Sequence, residues 1–135
     1  MAGQWMRAHA PSVDAVLCST ATRTRQTFAR TRIDAPVDYV DRLYGASPGE
    51  VIEEINGVPS RFDDDVKTLL VIGHEPTMSQ LALGLASEAD SDADATEDVA
   101  TKFPTSAIAV LRTDEPWDRL TLGRAALVGF HVPRS

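Results

Sequence analysis

Two stretches of this chain set a phosphate-competent side chain where an apolar run meets the start of a helix. In Val16-Leu17-Cys18-Ser19-Thr20-Ala21-Thr22-Arg23 that side chain is an arginine; in Leu70-Val71-Ile72-Gly73-His74-Glu75-Pro76 it is a histidine. An arginine in a first helical turn can bind two phosphate oxygens through its planar fork, which lysine cannot reproduce. A histidine at the second junction can hydrogen-bond a third oxygen and, when protonated, help neutralise a transferring phosphoryl group. Helix openings add unpaired backbone N–H groups and the positive end of a dipole. In open α/β sheets ligands sit beyond the carboxyl ends of the strands, the edge on which both junctions fall. The expectation is one anion pocket assembled from distant parts of the chain, with Arg23 and His74 as its phosphate-binding residues.

The elements that must position these residues follow from the apolar pattern. Residues 2–9 have helical composition with Trp5 and Met6 as apolar contacts, and Pro11 ends the segment. Ala15 to Cys18 is a short apolar run expected as a buried parallel strand. Ser19 or Thr20 is placed to cap a helix from about Ala21 to Arg30, on which Arg25 is expected to be an exposed neighbour. Val37 to Val40 is a second strand. Ser47-Pro48-Gly49-Glu50 is a helix start, with Ser47 as N-cap, Pro48 at the first position and Glu50 closing the capping box. Val51, Ile52 and Ile55 form that helix's apolar stripe, Asn56-Gly57 ends it, and Pro59 through Asp65 is expected as a polar loop. Thr68 to Ile72 is a strand, followed after Pro76 by a helix bearing Met78, Leu81, Leu83 and Leu85. Residues 87–100, acidic and without an apolar period, are expected as a mobile surface loop. Strand character returns at Ala107 to Leu111, around Leu120 to Leu122 and at Ala125 to Phe130. Strands alternating with helices predict an α/β sandwich with a mostly parallel sheet.

The 135 residues suit one domain spanning 1–135. A formal net charge of −7 and a pI near 4.8 argue against nucleic acid or an anionic membrane as partner. The acids cluster, with Glu88, Asp90, Asp92, Asp94, Glu97 and Asp98 falling together without a base among them, so a phosphate pocket elsewhere is compatible with the net sign. Cys18 is the single cysteine, which excludes an internal disulfide and points to a reducing, cytoplasmic setting. No apolar run approaches the ~20 residues that span a bilayer, and the first residues lack the pattern of a secretory signal. A cysteine-phosphatase loop needs five residues between Cys and Arg; counted from Cys18 that position holds Thr24.

Together and in this order, the two junctions resemble the conserved blocks of the histidine phosphatase superfamily, whose small members include the SixA-like phosphohistidine phosphatases. Ser19-Thr20-Ala21-Thr22-Arg23-Thr24-Arg25-Gln26-Thr27 is similar to the family's Ser-Pro-x-x-Arg-Ala-x-Gln-Thr block, with Thr20 in place of the proline. Gly73-His74-Glu75-Pro76 resembles its Gly-His-x-Pro block, and Phe103-Pro104-Thr105-Ser106-Ala107 the Pro-Thr-Gly/Ser turn before its late strand. Asp41-Arg42-Leu43-Tyr44-Gly45 looks like the Glu-x-x-Tyr-Gly stretch of the phosphoglycerate mutase branch, where the Glu is the proton donor. The likeness runs from about Trp5 to Leu111.

The resemblance implies a phosphoglycerate mutase-like, three-layer α/β/α sandwich. It also implies a phosphatase using neither metal nor cofactor, acting on phosphohistidine proteins or small phosphomonoesters. A nucleophilic histidine would take the phosphoryl group and water would release it, with Arg23 and His74 binding the group and Asp41 as the candidate acid. The family's Arg-His-Gly signature, which carries the nucleophile on the first strand, does not occur here. His9, in helical context before Pro11, and His131, without a flanking signature, are not substitutes. The expectation is therefore a chain that begins inside the family domain, lacks the first strand between Leu69–Ile72 and Ala107–Leu111, and is impaired in catalysis. Two alternatives accompany it: a non-catalytic phospho-ligand-binding domain, and a homodimer that completes its sheet by strand exchange.

Overall fold

An apolar run without alternation suits a strand buried on both faces. In the computed structural model of the protein Ala15-Val16-Leu17-Cys18 forms most of β1 (Ala15–Ser19), all five residues of which are fully buried. The structure describes residues 12–62, 65–104 and 107–132. β1 lies at the centre of a three-stranded parallel sheet, between β2 (Val37–Val40) and β3 (Leu69–Ile72). Val16 is in register with Val37 on one side and Leu70 on the other. Asp14 aligns the start of this ladder: its Oδ2 accepts from the backbone N–H of Lys67 at 2.9 Å and of Thr68 at 3.0 Å.

The connection from β1 to β2 is α1 (Thr22–Thr31), which packs on β1 and β3. Neither Ser19 nor Thr20 caps it; Ala21 is the N-cap residue and no side chain bonds the first helical N–H groups. The capping box at Ser47 is present. The Ser47 hydroxyl accepts from Glu50 N at 3.2 Å, and Glu50 Oε1 accepts from Ser47 N at 2.9 Å. It opens α2 (Pro48–Asn56), which buries Val51, Ile52 and Ile55. After Gly57 the chain makes one further turn, α3 (Val58–Arg61), in place of the polar loop expected from Pro59. Pro59 suits the first turn of a helix, and fully buried Val58 anchors it. α4 (Thr77–Leu85) follows β3 and buries Leu81, Ala82 and Leu85.

The acidic stretch 87–100 is not the irregular loop its composition suggests. It contains α5 (Ala93–Thr101), whose N-cap Asp92 accepts from Ala95 N at 2.8 Å. Ala95 and Val99, four residues apart, fall on one helical face and are its buried positions. They join Ala82 and Leu127 in a small second core, with Phe103 and Phe130 packed against it. Two small apolar residues among acids are too few to show a period, yet enough to seat a short helix.

The fold is the expected α/β architecture, but its sheet is divided. β4 (Ile108–Arg112) and β5 (Ala126–His131) form a separate antiparallel pair, with a register shift between Val110 and Leu111. β3 and β4, the two strands expected to flank a missing neighbour, are not hydrogen-bonded to each other. Leu120 to Leu122 is not a strand: residues 117–119 form a 3₁₀ turn, and Leu122 is exposed. Side chains hold this segment instead. Asn56 Nδ2 donates to the carbonyls of Trp117 at 2.7 Å and Leu120 at 3.1 Å, and Trp117 Nε1 donates to Val66 O at 2.6 Å. The helix expected over residues 2–9, with Trp5, Met6 and His9, lies outside the described residues, as do Thr105 and Ser106.

Candidate active site

Ser19 ends β1 and is completely buried, so its side chain is fixed by the sheet rather than by the helix that follows. Its carbonyl accepts from Thr24 Oγ1 at 2.8 Å, which draws the first turn of α1 against the strand end. Arg23 precedes Thr24 and therefore projects from that turn. It is exposed, and among the described residues no carboxylate pairs with its guanidinium. Arg25 is exposed as expected, and is occupied: Nε donates to Thr20 O at 2.9 Å, and the guanidinium lies 4.7 Å from the centre of the Tyr39 ring.

The second junction follows β3 directly. Gly73 packs closely on Met78: a Cβ there would lie 2.7 Å from Met78 Cε, so the end of that side chain would have to move aside. His74 comes next, half-buried, with Nε2 2.8 Å from Ser19 Oγ. Glu75 then braces the opening of α4. Its carboxylate accepts from Ser79 N at 2.6 Å and from the Ser79 hydroxyl at 2.7 Å, supplying the capping bond that Pro76 cannot. Tyr44 meets the His74 ring edge-on, with ring centres 5.1 Å apart and planes at 75°. Gly45, at φ +75°, turns the chain directly after Tyr44.

Arg23 and His74 line the same cleft, about 1520 Å³ in volume. Thr24 and Gly73 line it as well, and it is bordered by Leu69–Ile72 of β3 and Ile108–Arg112 of β4. Both phosphate-binding candidates border this cleft. Asp41 is not among the residues lining this cleft. It is exposed at the start of the 3₁₀ turn Asp41–Leu43, where its carbonyl accepts from Tyr44 N at 3.0 Å. The neighbouring Arg42 ties that turn to α2 through Glu50 at 3.5 Å, Glu53 at 2.5 Å and Glu54 at 3.3 Å. His131 ends β5, opposite Ile108, and does not line the cleft.

Two neighbours of the site were not legible as such. Ser19 has the look of a helix cap, whereas its hydroxyl reaches a residue 55 positions later. Tyr44 stands in a motif-like stretch, but nothing local shows that its ring meets a histidine 30 positions on. Cys18, fully buried, takes no part, and burial pushes its thiol pKa up against the opposing effects of Thr24 and Arg25. Among the described residues no group of three or more His, Cys, Asp or Glu side chains is placed to hold a metal ion. Chemically, an exposed guanidinium and an imidazole on one cleft, each at a helix opening, suit a tetrahedral oxyanion.

Comparison with known proteins yields relatives over nearly the whole chain. An uncharacterised protein of Mycobacterium tuberculosis is 62% identical over 134 residues, covering 99% of this chain and 82% of the relative. An uncharacterised protein of Mycobacterium leprae is 47% identical over 134 residues, covering 80% of its own length. Among solved structures, a protein from Nakamurella multipartitia assigned as the phosphohistidine phosphatase SixA superposes with a TM-score of 0.87 at 39% identity, covering 99% of this chain and 78% of that one. A second, from Agrobacterium tumefaciens with the same assignment, gives a TM-score of 0.69 at 25% identity over 98% of this chain and 76% of that one. No family model matches the chain. Among the described residues, no helix is long and apolar enough to cross a membrane.

Proposed function

Because the chain belongs to the SixA-like branch of the histidine phosphatase superfamily, we propose that its cleft binds the phosphoryl group of a phosphohistidine or a small phosphomonoester. The observation that carries this is the shared cleft of Arg23 and His74, with Ser19 joining the two junctions. The Arg23 fork takes two oxygens and the His74 ring a third, so the charge that spreads over the phosphoryl oxygens during transfer meets hydrogen-bond donors on both junctions. Asp41, in the 3₁₀ turn just before Tyr44, is the proposed acid. Transfer proceeds in two steps: a histidine attacks phosphorus as the leaving group departs with a proton, and water then hydrolyses the phosphohistidine. These 135 residues hold no Arg-His-Gly, so hydrolysis by this chain alone is impaired although anion binding is retained.

The test is hydrolysis of p-nitrophenyl phosphate and of a phosphohistidine protein, by this chain and by a fusion carrying an upstream Arg-His-Gly segment. Activity gained with the fusion and abolished by His74→Ala or Arg23→Ala fits the proposal. Activity that survives both substitutions overturns it.

A second reading is favoured by β3 and β4, which border one cleft without pairing to each other. Free strand edges bind other strands, and a chain built this way completes its sheet with a strand from a second copy. Light scattering across a concentration series decides: a dimer supports strand exchange, and a monomer at every concentration rules it out.

A further inference from the structure

The contact between Ser19 and His74 specifies more than proximity. A serine hydroxyl has one proton to donate and two lone pairs to accept with. Ser19 is 0% exposed, so water does not satisfy its polar atoms. One lone pair faces the backbone N–H of Ala21 at 3.4 Å. Among the described residues, the acceptor within reach of the hydroxyl proton is His74 Nε2 at 2.8 Å. A neutral His74 protonated on Nε2 would donate to Ser19 and strand the serine proton in a buried site, an arrangement proteins avoid. The tautomer that satisfies every group has Nε2 as acceptor and the proton on Nδ1. A cationic His74 carries protons on both ring nitrogens, so Nδ1 is an N–H there as well, although Nε2 then no longer accepts the serine proton.

We infer that Ser19 is a positioning residue whose hydroxyl engages Nε2 of His74, so that the nitrogen left for a ligand, Nδ1, presents an N–H in either protonation state. This rests on the proposed phosphoryl-binding role of the cleft, because a ring nitrogen that always donates is useful to an oxyanion and useless to a metal ion or a cationic ligand. Two further contacts accompany this geometry. Thr24 Oγ1 grips the Ser19 carbonyl at 2.8 Å, and the largely exposed Tyr44 lies edge-on to the imidazole. The Ser19 backbone is locked by its pairing with Val40. A free imidazole exchanges between its tautomers; this one is assigned a single form by a residue from another part of the sheet.

The experiment is nitrogen-15 NMR of the histidine rings in this chain, on the native protein, Ser19→Ala and Ser19→Thr, each with and without inorganic phosphate. The inference expects a neutral His74 protonated on Nδ1 in the native chain, a mixture or the opposite tautomer in Ser19→Ala, and a return to Nδ1–H in Ser19→Thr, which restores a hydroxyl. Phosphate affinity should fall about tenfold in Ser19→Ala, the scale of one lost hydrogen bond to a charged group. A native His74 protonated on Nε2, or a tautomer that Ser19→Ala leaves unchanged, overturns the inference; the native measurement suffices should a variant fail to fold. Phosphate that leaves the native His74 signals unmoved would instead defeat the phosphoryl-binding proposal, with the tautomer assignment read separately from the ligand-free spectra.

Discussion

Thr77 Oγ1 donates to the carbonyl of Ala46 at 2.5 Å, tying the first turn of α4 to the loop that carries Tyr44. The bond joins two segments 31 residues apart, and it lies three residues after His74 and two after Tyr44. It therefore holds the two rings of the site in one frame. Removing it while keeping the side chain's shape, as in Thr77→Val, should cost about 1 kcal/mol of stability and loosen Tyr44 against His74. Urea unfolding measures the first effect and ring-current shifts of the His74 protons the second. An unchanged midpoint with unchanged shifts would show that the bond positions nothing.

Anion binding should depend on the form of the Arg23 side chain and not on its charge alone. Phosphate or vanadate at a hundredfold excess over its dissociation constant should stabilise the native chain by about 2.7 kcal/mol. Arg23→Ala and His74→Ala should abolish the shift. Arg23→Lys should lose most of it, since an ammonium cannot grip two oxygens through a planar fork. Thermal unfolding with and without the anion gives the answer, and equal shifts for Lys and Arg would exclude bidentate binding.

The capping box makes part of the stability acid-sensitive. Hydrogen bonding from the Ser47 backbone, then from its side chain, and the nearby Arg42 hold the Glu50 carboxyl below its ordinary pKa of 4.5. A depressed pKa means that the unfolded chain binds more protons there, so this contribution is present above the unfolded value and is lost as pH falls through the folded one. Glu50→Gln should flatten the acid limb of a stability-against-pH curve and leave the neutral region nearly level. A curve with its slope unaltered between pH 5 and 3 would mean that Glu50 is not coupled to folding.

Cys18 should behave as an inert thiol. Burial raises its pKa in the folded chain, so folding favours the neutral form; that contribution holds below the unfolded value and fades as pH rises through the folded one. A thiol reagent should label the native chain only as fast as it opens, and label the urea-unfolded chain at once. Prompt labelling of folded protein would contradict the burial of β1.

Much of this could be read along the chain. Ala15 to Cys18 and Leu69 to Ile72 are unbroken apolar runs, and their strands lie where those runs lie. Ser47, Pro48 and Glu50 interact only with each other, so the start of α2 is a local fact and was visible locally. Failures occurred where partners are distant or a signal is too short. α5 rests on Ala95, Val99 and the cap at Asp92, a pattern hidden among acids. Leu120 has the apolar character of a strand residue, but Asn56, from α2, takes its carbonyl and no ladder forms.

The sequence by itself determined which residues could bind a phosphoryl group and where the helix openings that support them begin, because residue type and local spacing decide both. It did not decide that the Ser19 hydroxyl serves an imidazole in place of a helix N–H, that Tyr44 packs beside that ring, or that β3 and β4 stand apart across a cleft. Those outcomes depend on which surfaces meet once the chain is compact. A hydrogen-bond donor has several acceptors within chemical reach in principle, and only the packing of whole elements selects one of them.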